Sequence, residues 1–234
     1  MAIFLDTGNI EDAERFMRMG IIRGVTTNPT ILLKAGVTGG KAAIKRRSIE
    51  IAEIIKPFPL SVEVISNETQ KMLDQGREFA QWADNINVKI TIHGPEGEWN
   101  NLDIIHDLES KYNVRVNVTA MMNAQQCLLA ALAGATYVSI FGGRVNDMGY
   151  NCTGEIRKTR NVLDAQALKA RLIIGSTREV LNVIEWLQAG AHIVTVVPEL
   201  IKKMIVHPYS KETVRMFLDD AKKAEETLER KEPT

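Results

Sequence analysis

A single lysine, Lys89, sits in an apolar run that has the alternation of a buried strand. Over residues 85–92 the alternation places Lys89 with Asn87 and Thr91 on one face of the strand, opposite three branched apolar residues. If that strand lies inside the protein, desolvation favours the neutral amine, which can attack a carbonyl carbon and form a Schiff base. A charged, solvated lysine on an edge strand is the commoner case, so the remaining strands must decide whether this face is enclosed.

The composition favours a globular protein without a strongly charged partner. The 234 residues suit one large domain or two small ones, and the 29 basic and 29 acidic side chains cancel. The two cysteines, Cys127 and Cys152, provide neither a disulfide framework nor a metal-ligand spacing. A strand that begins at Ile3 leaves no room for a signal peptide, and no apolar run approaches the roughly 20 residues of a membrane span. We therefore expect a soluble cytoplasmic protein that binds neither nucleic acid nor membranes.

Strand-like and helix-like segments alternate along the chain. The predicted strands are Ile3–Asp6, Ile22–Thr26, Leu60–Ile65, Asn87–Ile92, Arg115–Thr119, Tyr137–Phe141, Arg171–Ile174 and Ile193–Val196. Eight strand–helix units without a linker predict a parallel sheet that closes into a (β/α)8 TIM barrel, with residues 1–234 as a single domain. An extra charged helix at about residues 211–230, carrying Val214, Phe217 and Leu218, is a candidate to pack on a neighbouring subunit.

Helical periodicity is clearest over residues 10–19, 123–133 and 178–189. In the last of these segments the predicted apolar stripe consists of Val180, Val183, Ile184 and Leu187. Two connections, residues 29–59 and 145–170, are long enough to hold a short extra helix or a lid.

Polar residues gather toward one end of the predicted strands. In a barrel one strand face packs on the helices and the other faces the lumen. The polar residues that face inward or follow a strand are Asp6, Thr26, Asn28, Ser61, Glu63, Lys89, Asn117, Thr119, Ser139 and Ser176. They lie toward the carboxyl ends of the strands, where barrel active sites are found, whereas a structural lumen would be filled with Val, Ile and Leu. Because every buried polar group needs a partner, a convergent set of this size predicts an active site.

The residue types suggest a division of roles. Lys89 is the candidate nucleophile, and Asp6 and Glu63, on separate strands, are suited to different proton-transfer steps. Thr119 could hold a water molecule beside Glu63 for forming and hydrolysing the imine. The neutral amide of Asn117, like that of Asn28, can hold substrate hydroxyls without adding charge.

Arg144, Ser176 and Arg178 follow the sixth and seventh strands and indicate an anion site, because phosphate sites in barrels commonly lie in the last βα loops. For either arginine taken singly, a surface ion pair is the better interpretation. The four histidines are scattered without metal-ligand spacing. We expect no metal and no cofactor, because a protonated imine is itself an electron sink.

At these positions the chain resembles the small transaldolases, a family that includes the fructose-6-phosphate aldolases. The matching segments are Phe4-Leu5-Asp6-Thr7, Gly24-Val25-Thr26-Thr27-Asn28-Pro29-Thr30, Ser61-Val62-Glu63-Val64, Val88-Lys89-Ile90, Asn117-Val118-Thr119, Gly134-Ala135-Thr136-Tyr137-Val138-Ser139, Gly143-Arg144 and His207-Pro208. They cover nearly the whole chain in order, and the Gly-Val-Thr-Thr-Asn-Pro block is highly specific. The resemblance implies a (β/α)8 barrel, Schiff-base catalysis on Lys89, and homo-oligomers of five or ten subunits in which the C-terminal helix packs on a neighbour.

The resemblance also implies individual roles and a reaction. Asp6 would act with Lys89 in breaking and forming the carbon–carbon bond, and Glu63 and Thr119 would surround the catalytic water. The substrate contacts would be Thr26, Asn28, Asn117, Ser139 and Phe141, with Arg144, Ser176 and Arg178 at the phosphate. The implied reaction moves a dihydroxyacetone unit from a ketose phosphate, such as fructose 6-phosphate or sedoheptulose 7-phosphate, to an aldose phosphate.

Five positions favour a transaldolase within this family. The fructose-6-phosphate aldolases usually carry glutamine where Glu63 stands, tyrosine where Phe141 stands and lysine where Arg178 stands, and they lack the amide of Asn117 and the hydroxyl of Ser139. Cleavage that releases free dihydroxyacetone would use the same catalytic residues, so it stays as an alternative.

The chain departs from the family pattern just after Lys89. The usual proline is absent from Ile90-Thr91-Ile92-His93, and the loop at residues 94–99 is longer. These changes leave the catalytic side chains in place but alter the rim beside the nucleophile. A non-catalytic barrel that binds sugar phosphates is therefore a second alternative. His93, in the altered segment, is best interpreted as a solvated loop residue.

Overall fold

Eight parallel strands close into a barrel in the order in which they occur in the chain. The computed structural model describes residues 2–229. Its strands are β1 (Ile3–Asp6), β2 (Val25–Thr26), β3 (Leu60–Glu63), β4 (Ile86–Thr91), β5 (Val116–Met121), β6 (Tyr137–Phe141), β7 (Arg171–Gly175) and β8 (Ile193–Val196). Each strand pairs with the next, and β8 pairs with β1. The predicted (β/α)8 TIM barrel is confirmed.

Helices occupy the connections between the strands. They are α1 (Ile10–Arg18), α2 (Pro29–Lys34), α3 (Gly40–Ile55), α4 (Thr69–Ala80), α5 (Asn101–Ser110), α6 (Ala124–Leu132), α7 (Gly142–Asp147), α8 (Cys152–Ala165), α9 (Val180–Gln188), α10 (Pro198–Ile205) and α11 (Pro208–Glu229). The predicted connection 29–59 holds α2 and α3, and the predicted connection 145–170 holds the second half of α7 and all of α8. Each connection therefore has a short helix before the helix that leads to the next strand. The predicted stripe of α9 is partly wrong: Val183 and Trp186 are fully buried, whereas Ile184 is 52% exposed.

An apolar layer fills the part of the lumen that is nearer the amino ends of the strands. Phe4, Tyr137, Ile173 and Ile193 form one buried cluster, in which the rings of Phe4 and Tyr137 meet edge to face with centroids 6.4 Å apart. A Cβ at Gly24 would lie 2.6 Å from Cζ of Phe4, so the missing side chain admits this ring. Gly24 directly precedes β2, which is shorter than the predicted Ile22–Thr26, because glycine weakens strand interiors where another group approaches closely.

The chain divides into two compact units, one up to Pro198 that holds the barrel and one from Glu199 onward that holds α11. On α11 the side chains of Val214, Phe217 and Leu218 are exposed. The predicted single domain, and the packing of this helix on a neighbouring subunit, stay predictions. Residue 230, the predicted end of the helix, lies outside the described residues. Among residues 2–229 no helix is both long enough and apolar enough to cross a membrane.

Candidate active site

Lys89 lies on β4 with its side chain enclosed by the barrel. It is only 5% exposed, and the alternative of a solvated edge-strand lysine is wrong because a closed barrel has no edge strand. Its register partners are Glu63 on β3 and Asn117 on β5. The Lys89 Nζ atom lies 3.1 Å from Oε2 of Glu63 and donates a hydrogen bond of 2.9 Å to the backbone carbonyl of Thr27. The amine therefore has one anionic partner and one neutral acceptor in a largely dry environment.

A chain of polar side chains runs through the lumen beside Lys89. Nδ2 of Asn117 donates to Oγ of Ser61 at 3.1 Å, and Oγ of Ser139 donates to Oδ1 of Asn117 at 2.6 Å. Ser61 is on β3 and Asn117 on β5, two strands that are not neighbours, so their hydrogen bond must cross the lumen. All three side chains are buried. The two hydroxyls together fix which way the Asn117 amide points.

Asp6, at the end of β1, is a partly buried residue whose carboxyl group lies on the same side of the barrel. Thr26 donates a hydrogen bond of 2.7 Å to Oδ1 of Asp6. Burial raises the pKa of the Asp6 carboxyl above its ordinary value, and the Thr26 hydrogen bond and the charge of Lys89 partly oppose that effect. A carboxylate whose proton affinity is increased by burial is suited to accept a proton from a substrate hydroxyl.

Two buried polar side chains on the inward faces of β4 and β5 lack a protein partner. Within residues 2–229 neither amide atom of Asn87 forms a hydrogen bond, nor does Oγ1 of Thr119. A buried polar group without a partner costs about 1–3 kcal/mol, so both side chains are free to bind a water molecule or a substrate group. On β4, Asn87 lies two residues before Lys89 and on the same face. On β5, Thr119 lies two residues after Asn117, again on the same face.

The predicted anion residues meet at the carboxyl ends of β6 and β7. A side chain at Gly143 would overlap the carbonyl oxygen of Ser176 and would lie 2.8 Å from Cγ of Arg178, so this glycine allows the two connections to approach. Cζ of Arg144 lies 5.1 Å from the ring centroid of Phe141. Both arginines are exposed.

Arg178 already has a partner in the free protein, since its guanidinium lies 3.0 Å from Oδ2 of Asp147 on α7. Sequence reasoning favoured such an ion pair for this arginine taken alone. A phosphate at this site would share Arg178 with Asp147 or displace that carboxylate.

Two further predicted contacts have roles within the protein itself. The side-chain oxygen of Asn28 accepts the backbone N–H of Ile31 at 2.8 Å and caps α2. The hydroxyl of Thr26 is shared between Asp6 and Thr195 of β8, whose Oγ1 lies 2.5 Å away. Sequence reasoning missed Thr195, although it is the one polar residue of β8 and could have been recognised on that ground.

The arrangement combines a buried amine, two carboxyl groups and several neutral hydrogen-bonding groups in one enclosed space. It can form an imine and move protons at nearby atoms. Among residues 2–229 no cluster of three or more His, Cys, Asp or Glu side chains could hold a metal ion.

Comparisons of the sequence with known proteins point to one family. The sequence model of the family described as transaldolase/fructose-6-phosphate aldolase matches residues 3–233. A "Probable transaldolase" from Exiguobacterium sibiricum is 37% identical over 226 residues, covering 97% of this chain and 100% of that protein. "Probable transaldolase 2" from Listeria monocytogenes is 39% identical over 220 residues, covering 94% and 95%.

Solved structures with low sequence identity share the fold alone. A thiamine phosphate pyrophosphorylase from Pyrococcus furiosus superimposes with a TM-score of 0.59 at 12% identity, over 84% of this chain and 85% of that one. The family match over nearly the whole chain and the near-complete coverage of relatives above 30% identity lead to one conclusion. The chain belongs to the transaldolase/fructose-6-phosphate aldolase family.

Proposed function

We propose that this protein is a Schiff-base transaldolase that moves a dihydroxyacetone unit from a ketose phosphate to an aldose phosphate. The observation that carries the proposal is the burial of Lys89 against Glu63, 3.1 Å away, in a lumen that also holds Asp6 and Asn117. A buried amine beside a carboxylate can lose its proton and attack a carbonyl carbon. The names of the relatives support the same reaction class.

The first half of the reaction forms the imine. Lys89 attacks the C2 carbonyl of the ketose phosphate, and the resulting carbinolamine loses water to give an iminium ion. Glu63 lies beside the lysine nitrogen and Thr119 has an unpartnered buried hydroxyl, so these two side chains are suited to hold the departing water and later the attacking one.

The second half breaks the carbon–carbon bond. Asp6 takes the proton of the C4 hydroxyl, a C4 carbonyl forms, and the electrons of the C3–C4 bond move to C3 and on to the iminium nitrogen as an enamine. We propose that Asn117 and Ser139, whose orientations are coupled by their 2.6 Å hydrogen bond, hold the hydroxyls of the enamine, together with Asn28. Arg144, Ser176 and Arg178 would bind the donor phosphate.

Transfer requires that the enamine meets an aldehyde before it is protonated and hydrolysed. Phe141 is the last residue of β6, and the guanidinium of Arg144 lies over its ring. A tyrosine in place of Phe141 would add a hydroxyl that could hold water. An apolar ring at this position favours transfer over release of free dihydroxyacetone.

The proposal is tested on the unmodified enzyme with fructose 6-phosphate. Borohydride treatment followed by peptide mass spectrometry should locate a reduced adduct on Lys89. Adding erythrose 4-phosphate as acceptor should yield sedoheptulose 7-phosphate, with little free dihydroxyacetone in its absence. Release of dihydroxyacetone at the same rate with and without acceptor would instead establish an aldolase, and absence of an adduct with any ketose phosphate would refute the Schiff-base enzyme.

We further propose that the protein is a homo-oligomer of five or ten subunits. Val214, Phe217 and Leu218 of α11 expose 55%, 61% and 60% of their surface, which would be unfavourable on a monomer in water. Light scattering of the purified protein should give a mass close to five or ten times 26.1 kDa, and a monomer mass would contradict the proposal.

A further inference from the structure

Thr195 contacts the candidate base through one intermediate. Its Oγ1 lies 2.5 Å from Oγ1 of Thr26, and Thr26 donates to Oδ1 of Asp6 at 2.7 Å. Thr26 belongs to β2 and Thr195 to β8, and β1, which carries Asp6, lies between these strands. The Thr26–Thr195 hydrogen bond therefore runs through the lumen beside Asp6, and both threonines are buried.

The direction of these two hydrogen bonds follows from the number of protons. A threonine hydroxyl has a single proton to donate. When Asp6 is ionised it can only accept, so the Thr26 proton points at the carboxylate. Thr195 must then donate its own proton to Thr26. A hydroxyl that receives a hydrogen bond becomes a stronger donor, so Thr195 strengthens the bond from Thr26 to Asp6.

The surroundings of Thr195 leave its hydroxyl little freedom. A Cβ at Gly175 of β7 would lie 3.2 Å from Cγ2 of Thr195, so the glycine makes room for the methyl group on that side. The carbonyl of Thr195 accepts the hydroxyl of Thr177 at 2.9 Å, and in the ladder between β8 and β1 Thr195 is opposite Phe4. Backbone and methyl group are thus both held, which leaves the hydroxyl directed at Thr26.

Few charged groups act on Asp6. The charge that does is that of Lys89 on β4, which is paired with Glu63 on β3. In the connection that follows β1, Asp12 of α1 accepts from the Thr7 hydroxyl at 3.4 Å, and Arg47 of α3 donates to the carbonyl of Gly8 at 2.6 Å. β2 and β8 carry no charged residue. After burial, the hydrogen bond from Thr26 has the largest effect on the pKa of this carboxylate, ahead of the charge of Lys89.

We propose that Thr195 is a positioning residue for Asp6: through Thr26 it holds one carboxylate oxygen and leaves the other to accept the substrate proton. The inference rests on the proposed function, in which Asp6 removes the proton of the C4 hydroxyl. In that step the proton passes to Oδ2 of Asp6, the O–H electron pair forms the C4 carbonyl, and the C3–C4 pair becomes part of the enamine. By strengthening the bond at Oδ1, Thr195 also favours the ionised form of the base.

The test compares Thr195→Val, which removes the hydroxyl at nearly constant volume, with Thr195→Ser, which keeps it. Transfer rates are measured across acidic and neutral pH, together with borohydride trapping on Lys89. In Thr195→Val we expect the acidic limb of the kcat profile to move to higher pH by about half to one unit, because a hydrogen bond that favours ionised Asp6 is weakened. At a fixed pH on that limb, kcat should be about three- to tenfold lower than in the wild type. Thr195→Ser should restore the wild-type limb, and adduct formation should be unchanged in both variants.

A matched control is Thr159→Val on α8, since Thr159 is equally buried but its hydroxyl bonds to a helix carbonyl, that of Glu155. If Thr195→Val does not fold, Thr195→Ala provides the same comparison without the added methyl group. A rate that falls equally at all pH values, or a profile that superimposes on the wild type, would overturn the role of Thr195. Failure of the wild-type enzyme to form an adduct would refute the proposed function instead, so the two failures are distinguishable.

Discussion

Replacement of Lys89 by alanine is expected to abolish turnover while leaving the barrel folded. The variant has no amine to form the imine, and loss of a nucleophile commonly costs at least about 10³-fold in rate. The measurement is the transfer rate from fructose 6-phosphate, with circular dichroism and thermal unfolding as the test of the fold. Borohydride should leave no adduct on the peptide that contains position 89.

The fold should survive because Glu63, the partner left behind, is still in contact with water. Its side chain is 18% exposed, so the carboxylate is not left in a dry interior. Lys89→Met tests the same point with a side chain of similar length. Lys111→Ala is the matched control: this lysine is also paired with a carboxylate, Asp107 at 2.8 Å, but it is exposed at the end of α5. Turnover by Lys89→Ala at the wild-type rate would rule out the Schiff base.

Asp6→Asn is expected to stop the reaction after the imine has formed. Asparagine can still accept the Thr26 hydrogen bond on its oxygen but cannot take the substrate proton. Loss of a general base typically costs about 10²–10⁴-fold, so transfer should fall by that amount. Lys89 and Glu63 are unchanged, and we therefore expect borohydride to trap the intact six-carbon phosphate on Lys89 in the variant. The wild-type enzyme should also yield the three-carbon adduct.

The pH dependence of the wild-type enzyme provides a second test of Asp6. The base acts only when ionised, and burial raises the pKa of Asp6. The ionised fraction is therefore lost at a higher pH than for an exposed aspartate, and the acidic limb of kcat should be shifted upward in the same direction. The residual activity of Asp6→Asn should lack this limb. Asp164→Asn, which alters an exposed carboxylate paired with Arg160 on α8, should retain it. An unchanged limb in Asp6→Asn would show that another group is the base.

The sequence by itself determined the barrel and the face on which the candidate site lies. Alternation of apolar and polar residues is a local property, because successive side chains of a strand point to opposite sides. The eight strands and the inward face of Lys89 could be predicted from it. Asp6 and Glu63 end β1 and β3 as expected, whereas Asn117 is the second residue of β5. Residues 178–189 show the limit of such patterns: they predict a helix, but Ile184 is as apolar as the buried Val183 and nevertheless faces outward.

The partners of the site residues were decided only by the tertiary structure. Alternation gives the face of each strand but not the stagger of strands around a barrel, which sets the height of each side chain in the lumen. Sequence therefore could not predict that Thr26, expected to contact substrate, would bond to both Asp6 and Thr195, or that Arg178 would pair with Asp147. The Thr26–Thr195 contact joins residues far apart in the chain, and it exists only because closure of the sheet brings β8 beside β1.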